Sequence, residues 1–211
     1  FFHQFYLPNN AILSVAGNIT IDEIKHLTEK WFGSIPKGKK SDRNLPKEPV
    51  QNAPRRLEVK RNVPANAIYK AYKMCSKTHP DFYATDLITD ILSQGNSSKL
   101  YISLVKEQKL FSNINAYVLG SFDEGLLIIS GNLSENTSFE AAENAIIEEL
   151  EKLKKWPVNE KELQKVKNKI ESIQAFSETN VLNKAMNLAI NELLGDANKV
   201  NTDIENYRKV T

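Results

Sequence analysis

Residues Leu126–Leu133 read LLIISGNL, an apolar run of strand length with almost no alternation. A run of this kind matches a central strand covered on both faces, so the chain has to supply neighbours for both edges and a packed layer. One neighbour lies just before it. A strand is expected from about Ser112 to Ser121, and Asp123-Glu124-Gly125 turns the chain between the two. The stretch GSFDEG spaces its glycines like a phosphate loop, yet Leu-Leu follows where Lys-Ser/Thr is required, and strands flank it. It reads as a hairpin loop.

Further strands are expected upstream. NAILSVAGNIT alternates into a buried strand that ends at Gly17-Asn18. RRLEVKR and AIYKAYKMC read as a hairpin turned by Asn62-Val63-Pro64-Ala65, where Pro64 interrupts the ladder. The stretch from Gly33 to Pro54, dense in Pro, Gly, Lys and Asn, is a solvated connector; its basic run KGKKSDR lacks the interleaved aromatics of a nucleic-acid contact.

Helices fill the remainder. Thr20 and Glu23 form a capping box that opens a helix to about Phe32, with Ile21, Ile24, Leu27 and Trp31 on one buried face. Thr78-His79-Pro80-Asp81 starts a second, carrying Leu87, Ile88, Ile91 and Leu92, and Gly95 stops it. A third restarts at about Ser97 or Ser98 and presents Leu100, Leu104 and Val105. The C-terminal part holds FEAAENAIIEELEKLKKW, then EKELQKVKNKIESIQAF capped by Asn159 and Glu162, then NVLNKAMNLAINELLG closed by Gly195. Along the first of these, Glu148, Glu149 and Glu151 are balanced by Lys152, Lys154 and Lys155, the pattern of a solvated face. The class is α+β: a largely antiparallel sheet of about five strands with helices packed on one face and a C-terminal helical run.

A length of 211 residues fits one large domain. The opening FFHQFY and the closing NTDIENYRKVT both read as helices joined to further structure, so residues 1–211 are expected to be one segment of a longer chain. The net charge of +2 excludes an electrostatic footprint for nucleic acid. No run approaches the roughly 18 apolar residues of a membrane span, so neither nucleic acid nor a membrane is an expected partner.

Chemistry of its own is hard to find in this chain. Cys75 is the single cysteine, which rules out an internal disulfide and a thiolate zinc site. The histidines are His3, His26 and His79. The run from His26 to Lys30, HLTEK, resembles a zinc-binding HxxEH helix, but Lys30 stands where the second imidazole belongs, and an ammonium cannot ligate. No nucleophile elbow occurs either. Neither a catalytic residue nor a metal ligand is expected within these residues.

Several stretches together carry a family resemblance. FYLPNNAILSVAGNITIDEIKHLTEKWFGSIP has the pattern Y-x-P-x-N-x-x-L-x-V-x-G and a terminal F-G-x-x-P. HPDFYATDLITDILSQGNSSKLYISLVKEQKLFSNINAY sets a helix, a Gly-Asn-Ser-Ser turn, a Lys-Leu pair and a second helix before a strand, and INELLGD is followed later by VT. In this order they resemble the insulinase/pitrilysin family of zinc metallopeptidases, specifically the domain that follows the zinc-binding half.

That resemblance implies a substrate-enclosing domain that binds no zinc itself. The metal and the catalytic glutamate of the parent enzyme would lie outside this segment, in a catalytic half of the same chain or in a partner subunit, and the substrate would be a peptide. The alternative it implies is a non-catalytic structural or partner subunit of the same family. Active members place an Arg, and seven residues later a Tyr, against the substrate carbonyl in this domain. Aligning SLVKEQKLFS on that pattern puts Val105 at the Arg and Ser112 at the Tyr; a one-residue slip gives Lys106 and Asn113. Lys99 and Ser112 are the candidate substrate contacts.

Overall fold

The computed structural model describes residues 1–39 and 45–211. Part of the basic run KGKKSDR lies outside the described residues. Contacts divide the chain into two compact units, Phe1–Asn62 with Ser177–Val200, and Val63–Phe176 with Asn201–Thr211.

In the first unit α1 spans Phe2–Phe5, α2 spans Ile21–Phe32 and α6 spans Val181–Leu193. The capping box forms as expected: the Glu23 amide donates to Thr20 Oγ1, and the Thr20 amide donates to Glu23 Oε2 at 2.8 Å. The expected buried face of α2 does not form, because Ile21 is 72% and Trp31 64% exposed. The helix is amphipathic, but nothing within its own unit covers its apolar stripe. Residues 11–16 and 55–61 are likewise not strands, and Leu13 and Leu57 are exposed. Alternation defines which face of a strand is apolar and supplies no hydrogen-bonding partner; both stretches lack a ladder among the described residues.

The second unit holds a sheet of three strands, not about five: β1 Ala67–Met74, β2 Phe111–Leu119 and β3 Gly125–Leu133, in the order β1-β3-β2 and antiparallel throughout. LLIISGNL thus lies in the central strand, and GSFDEG falls in the β2–β3 connection as expected. Coverage is one-sided, however. Ile129, Gly131 and Leu133 are buried, while Leu126, Ile128 and Ser130, pointing the other way, keep partial exposure.

The covered face packs against three helical pieces, α3 (Phe82–Ser93), a π-helix over Tyr101–Glu107, and α4 (Phe139–Lys155). Leu92, Leu100, Leu104, Ala142, Ala145 and Ile146 from this layer join Phe111, Ile114, Ala116, Ile129 and Leu133 in one core. Lys70 reaches from β1 into the same layer and pairs with Glu143 of α4 at 2.6 Å. Helices α5 (Glu160–Ser177) and α7 (Asp203–Lys209) complete the unit through a second cluster, in which Leu87, Ile91 and Val166 meet Tyr207 and Val210.

One glycine sets how closely β2 and β3 approach. A Cβ on Gly131 would come within 2.7 Å of Phe111 Cδ1 and 2.8 Å of the Asn113 carbonyl oxygen. Gly131→Ala is therefore expected to push Phe111 out of the core and open the bulge between Phe111 and Asn113. Ile146→Ala, which empties a fully buried position, should lower stability by about 3 kcal/mol in urea denaturation. An unchanged midpoint for both variants would contradict this packing.

Candidate functional site

The π-helix determines the local geometry. Gln108 donates its amide to Ser103 O at 2.9 Å, a five-residue step, and Leu110 donates its amide to Leu104 O at 2.9 Å. Lys109 then takes a left-handed conformation at φ 55°, and β2 begins two residues later. The sequence marks a helix here but not its widened form. Leu104 is fully buried and anchors the turn, while Ser103 faces α4.

Beside this turn lies a hollow of about 430 Å³, lined by the π-helix, the end of α4 and the start of α5. At its base is Glu149, 7% exposed. Its Oε1 accepts from Ser103 Oγ at 2.8 Å and from Lys152 Nζ at 2.6 Å, and Gln108 donates to the same serine hydroxyl. Glu149 therefore does not belong to the solvated face that its spacing suggests. The hydrogen bond and charge of Glu149 push the Lys152 ammonium above the usual lysine range. Across the hollow Lys99 pairs with Glu162 at 3.2 Å. Trp156 forms an exposed apolar wall, with Lys155 Nζ 4.9 Å from its ring centroid.

The structure separates the two candidate contacts. Lys99 lines the hollow, whereas Ser112 sits in the β2 bulge and donates to Asn132 O at 3.2 Å. Val105 is half-buried against the core. In the slipped alignment, Lys106 lies over the Tyr101 ring at 5.4 Å, and Asn113 Oδ1 accepts the Asn132 amide. Sequence reasoning missed Ser103, Glu149 and Trp156. The only available signal was the tryptophan before Pro157, which ends α4 with a large side chain outside the core.

Zinc does not fit the side chains present. Among the described residues no group of three or more His, Cys, Asp or Glu side chains could hold a metal ion. His26 stands exposed on α2, and Lys30 lies over Trp31 at 5.1 Å. His79 lies in the turn before α3, its Nδ1 accepting the Asp81 amide.

An antiparallel sheet with a helical layer on one face, a second helical cluster and no metal-holding group defines a non-metal-binding α+β domain. Residues 1–170 match the Peptidase M16 inactive domain, and the chain belongs to that family. It is 31% identical over 170 residues to Zinc protease PqqE of Helicobacter pylori, covering 79% of this chain and 38% of that protein. It is 28% identical over 207 residues to Uncharacterized zinc protease YmxG of Bacillus subtilis, covering 98% of this chain and 49% of that protein. A crystal structure of a protease from Helicobacter pylori superposes with a TM-score of 0.85 at 25% identity, over 93% of this chain and 48% of that one. The chain thus spans about half the length, or less, of the curated relatives it matches.

Removing the charge at the base of the hollow has a defined consequence. In Glu149→Gln the Lys152 ammonium should titrate lower than in the parent, because its strongest partner is gone, as seen by Nζ chemical shifts through the alkaline range. An unmoved titration would show that the pair does not persist in solution.

Proposed function

We propose that this domain is the substrate-enclosing, non-zinc-binding part of an M16 peptidase, working with a catalytic half that supplies metal, general base and water. That half belongs to the same chain or to a partner subunit, and the substrate is a peptide. The observation that carries this reading is the family match over residues 1–170 together with the absence, among the described residues, of any metal-holding group. The names of the relatives, zinc proteases of about twice this length or more, support it.

Within this reading Lys99 and Ser112 serve as substrate contacts. Lys99 brings an ammonium to the edge of an apolar hollow and would exchange Glu162 for a substrate carboxylate or carbonyl. Ser112 is exposed on the bulge, with a hydroxyl able to turn from the Asn132 carbonyl to a peptide group. Neither contact is a catalytic residue; both would act by holding peptide.

The test uses the 211-residue chain and the full-length enzyme in parallel. The chain alone should neither cleave an unfolded peptide nor retain zinc after dialysis, whereas the full-length enzyme should cleave and lose activity to a chelator. Lys99→Ala and Ser112→Ala in the full-length enzyme should each raise KM several-fold and leave kcat within about twofold. Zinc near one equivalent in the chain alone, lost on changing His26 or His79, would overturn the assignment. Unchanged KM in both variants would remove these residues from the site.

A further inference from the structure

Helix α7 belongs to the sheet-bearing unit, which the chain leaves after Phe176 and rejoins at Asn201. Only seven residues long, it is tied down by several polar bonds. Tyr207 Oη donates to Asp86 Oδ2 of α3 at 2.6 Å. Tyr83 Oη, also on α3, donates to Asp203 Oδ1 at 2.8 Å and accepts from Asn206 Nδ2 at 3.2 Å. The rings of Tyr83 and Tyr207 meet edge to face, 4.9 Å apart. From α5, Lys167 donates to the carbonyl oxygens of Arg208 and Val210, and Glu171 pairs with Arg208.

The charges in this seam are unbalanced. Asp86 and Asp90 on α3 and Asp203 on α7 face it, and the cations acting on the two α3 carboxylates are Lys77, before α3, and Lys169 on α5. Lys77 favours the Asp86 carboxylate and Lys169 that of Asp90. For both groups burial outweighs the cation, so each carboxyl is held above the usual aspartate range. Burial and the neighbouring Asp86 charge also push the Tyr207 phenol up, so it remains a donor at every working pH.

We propose that α7 is a proton-strengthened latch, in which the Asp86 carboxyl beneath Tyr207 binds a proton as pH falls and fixes residues 201–211 to α3 more tightly. Freeing α7 exposes Asp86 to water and returns it toward its ordinary value near pH 4. The docked state therefore holds the proton to higher pH than the undocked one. Docking is strongest below the ordinary aspartate range, and its extra strength is lost as pH rises through the raised value of the docked carboxyl. The protonated carboxyl keeps a carbonyl oxygen that still accepts from Tyr207, so the bond survives while the desolvated charge disappears. This inference is independent of the peptidase reading, and α7 lies beyond the residues matched by the family.

Hydrogen–deuterium exchange on the full-length protein tests it, comparing α7 amides between about pH 4.5 and 7.5 after correction for intrinsic exchange, with α4 amides as internal reference. Protection of α7 should be about tenfold higher at the acid end, with no matching change in α4. Asp86→Asn, which keeps the acceptor and removes the charge, should hold α7 at high protection across the range. Asp90→Asn should retain the pH response. Tyr207→Phe should lower protection at both ends. A flat wild-type profile, a pH response that persists in Asp86→Asn, or one abolished in Asp90→Asn would each overturn the latch.

Discussion

The close approach of Phe111 to Gly131 is the contact on which the sheet-bearing unit depends. With hydrogen in place of a side chain on the central strand, the Phe111 ring lies across β3 and is itself 1% exposed. The same approach displaces the register between Phe111 and Asn113 and puts Ser112 on the bulge. Upstream, the left-handed Lys109 and the π-helix lead into it without a regular turn. Irregular backbone therefore runs from 101 to 113, held at its two ends by Leu104 and Phe111. Two buried apolar anchors make that conformation sustainable, and the residues between them are left facing solvent.

This irregular segment coincides with the one the family resemblance singles out for substrate contact. The agreement lies in position more than in side chains. Val105 has no donor and is half-buried, so the alignment that places it at a carbonyl-binding arginine gives it only packing to do. Lys106 has a donor, but its ammonium lies over Tyr101. The nearby groups that can reach a peptide are the ones at the hollow, where each lysine that lines it is tied to a carboxylate. A ligand there exchanges one ion pair for another, which favours selectivity over raw affinity.

What the sequence made legible follows from how local each signal is. The Thr20–Glu23 capping box, the start of α3, the Asn159 cap and the GSFDEG connection depend on a few adjacent residues, and the structure has all of them. The two missing strands depend on partners that alternation cannot name. Glu149 shows the same limit at single-residue scale. Glu149–Lys152 and Glu151–Lys154 are identical i,i+3 pairs at 2.6 Å, yet the Glu149 side chain is 8% exposed and that of Glu151 is 61%. Their difference comes from Ser103, forty-six positions away in sequence, turned toward α4 by a helix whose widened form has no local signature.

The same distinction bears on the absence of a metal-holding group. Histidine count alone leaves open a site completed by carboxylates, and this chain is rich in them. The structure disposes of that for the described residues by giving the carboxylates other partners: Glu143 holds Lys70, Glu149 holds Lys152 and Ser103, Glu162 holds Lys99, and Asp86 accepts from Tyr207. Each of these bonds links one secondary-structure element to another or pins a residue at the hollow, so recruiting the acid as a ligand would loosen the packing that positions it. The acidic side chains of this domain hold its layers together, and hydrolytic chemistry has to be supplied from outside them.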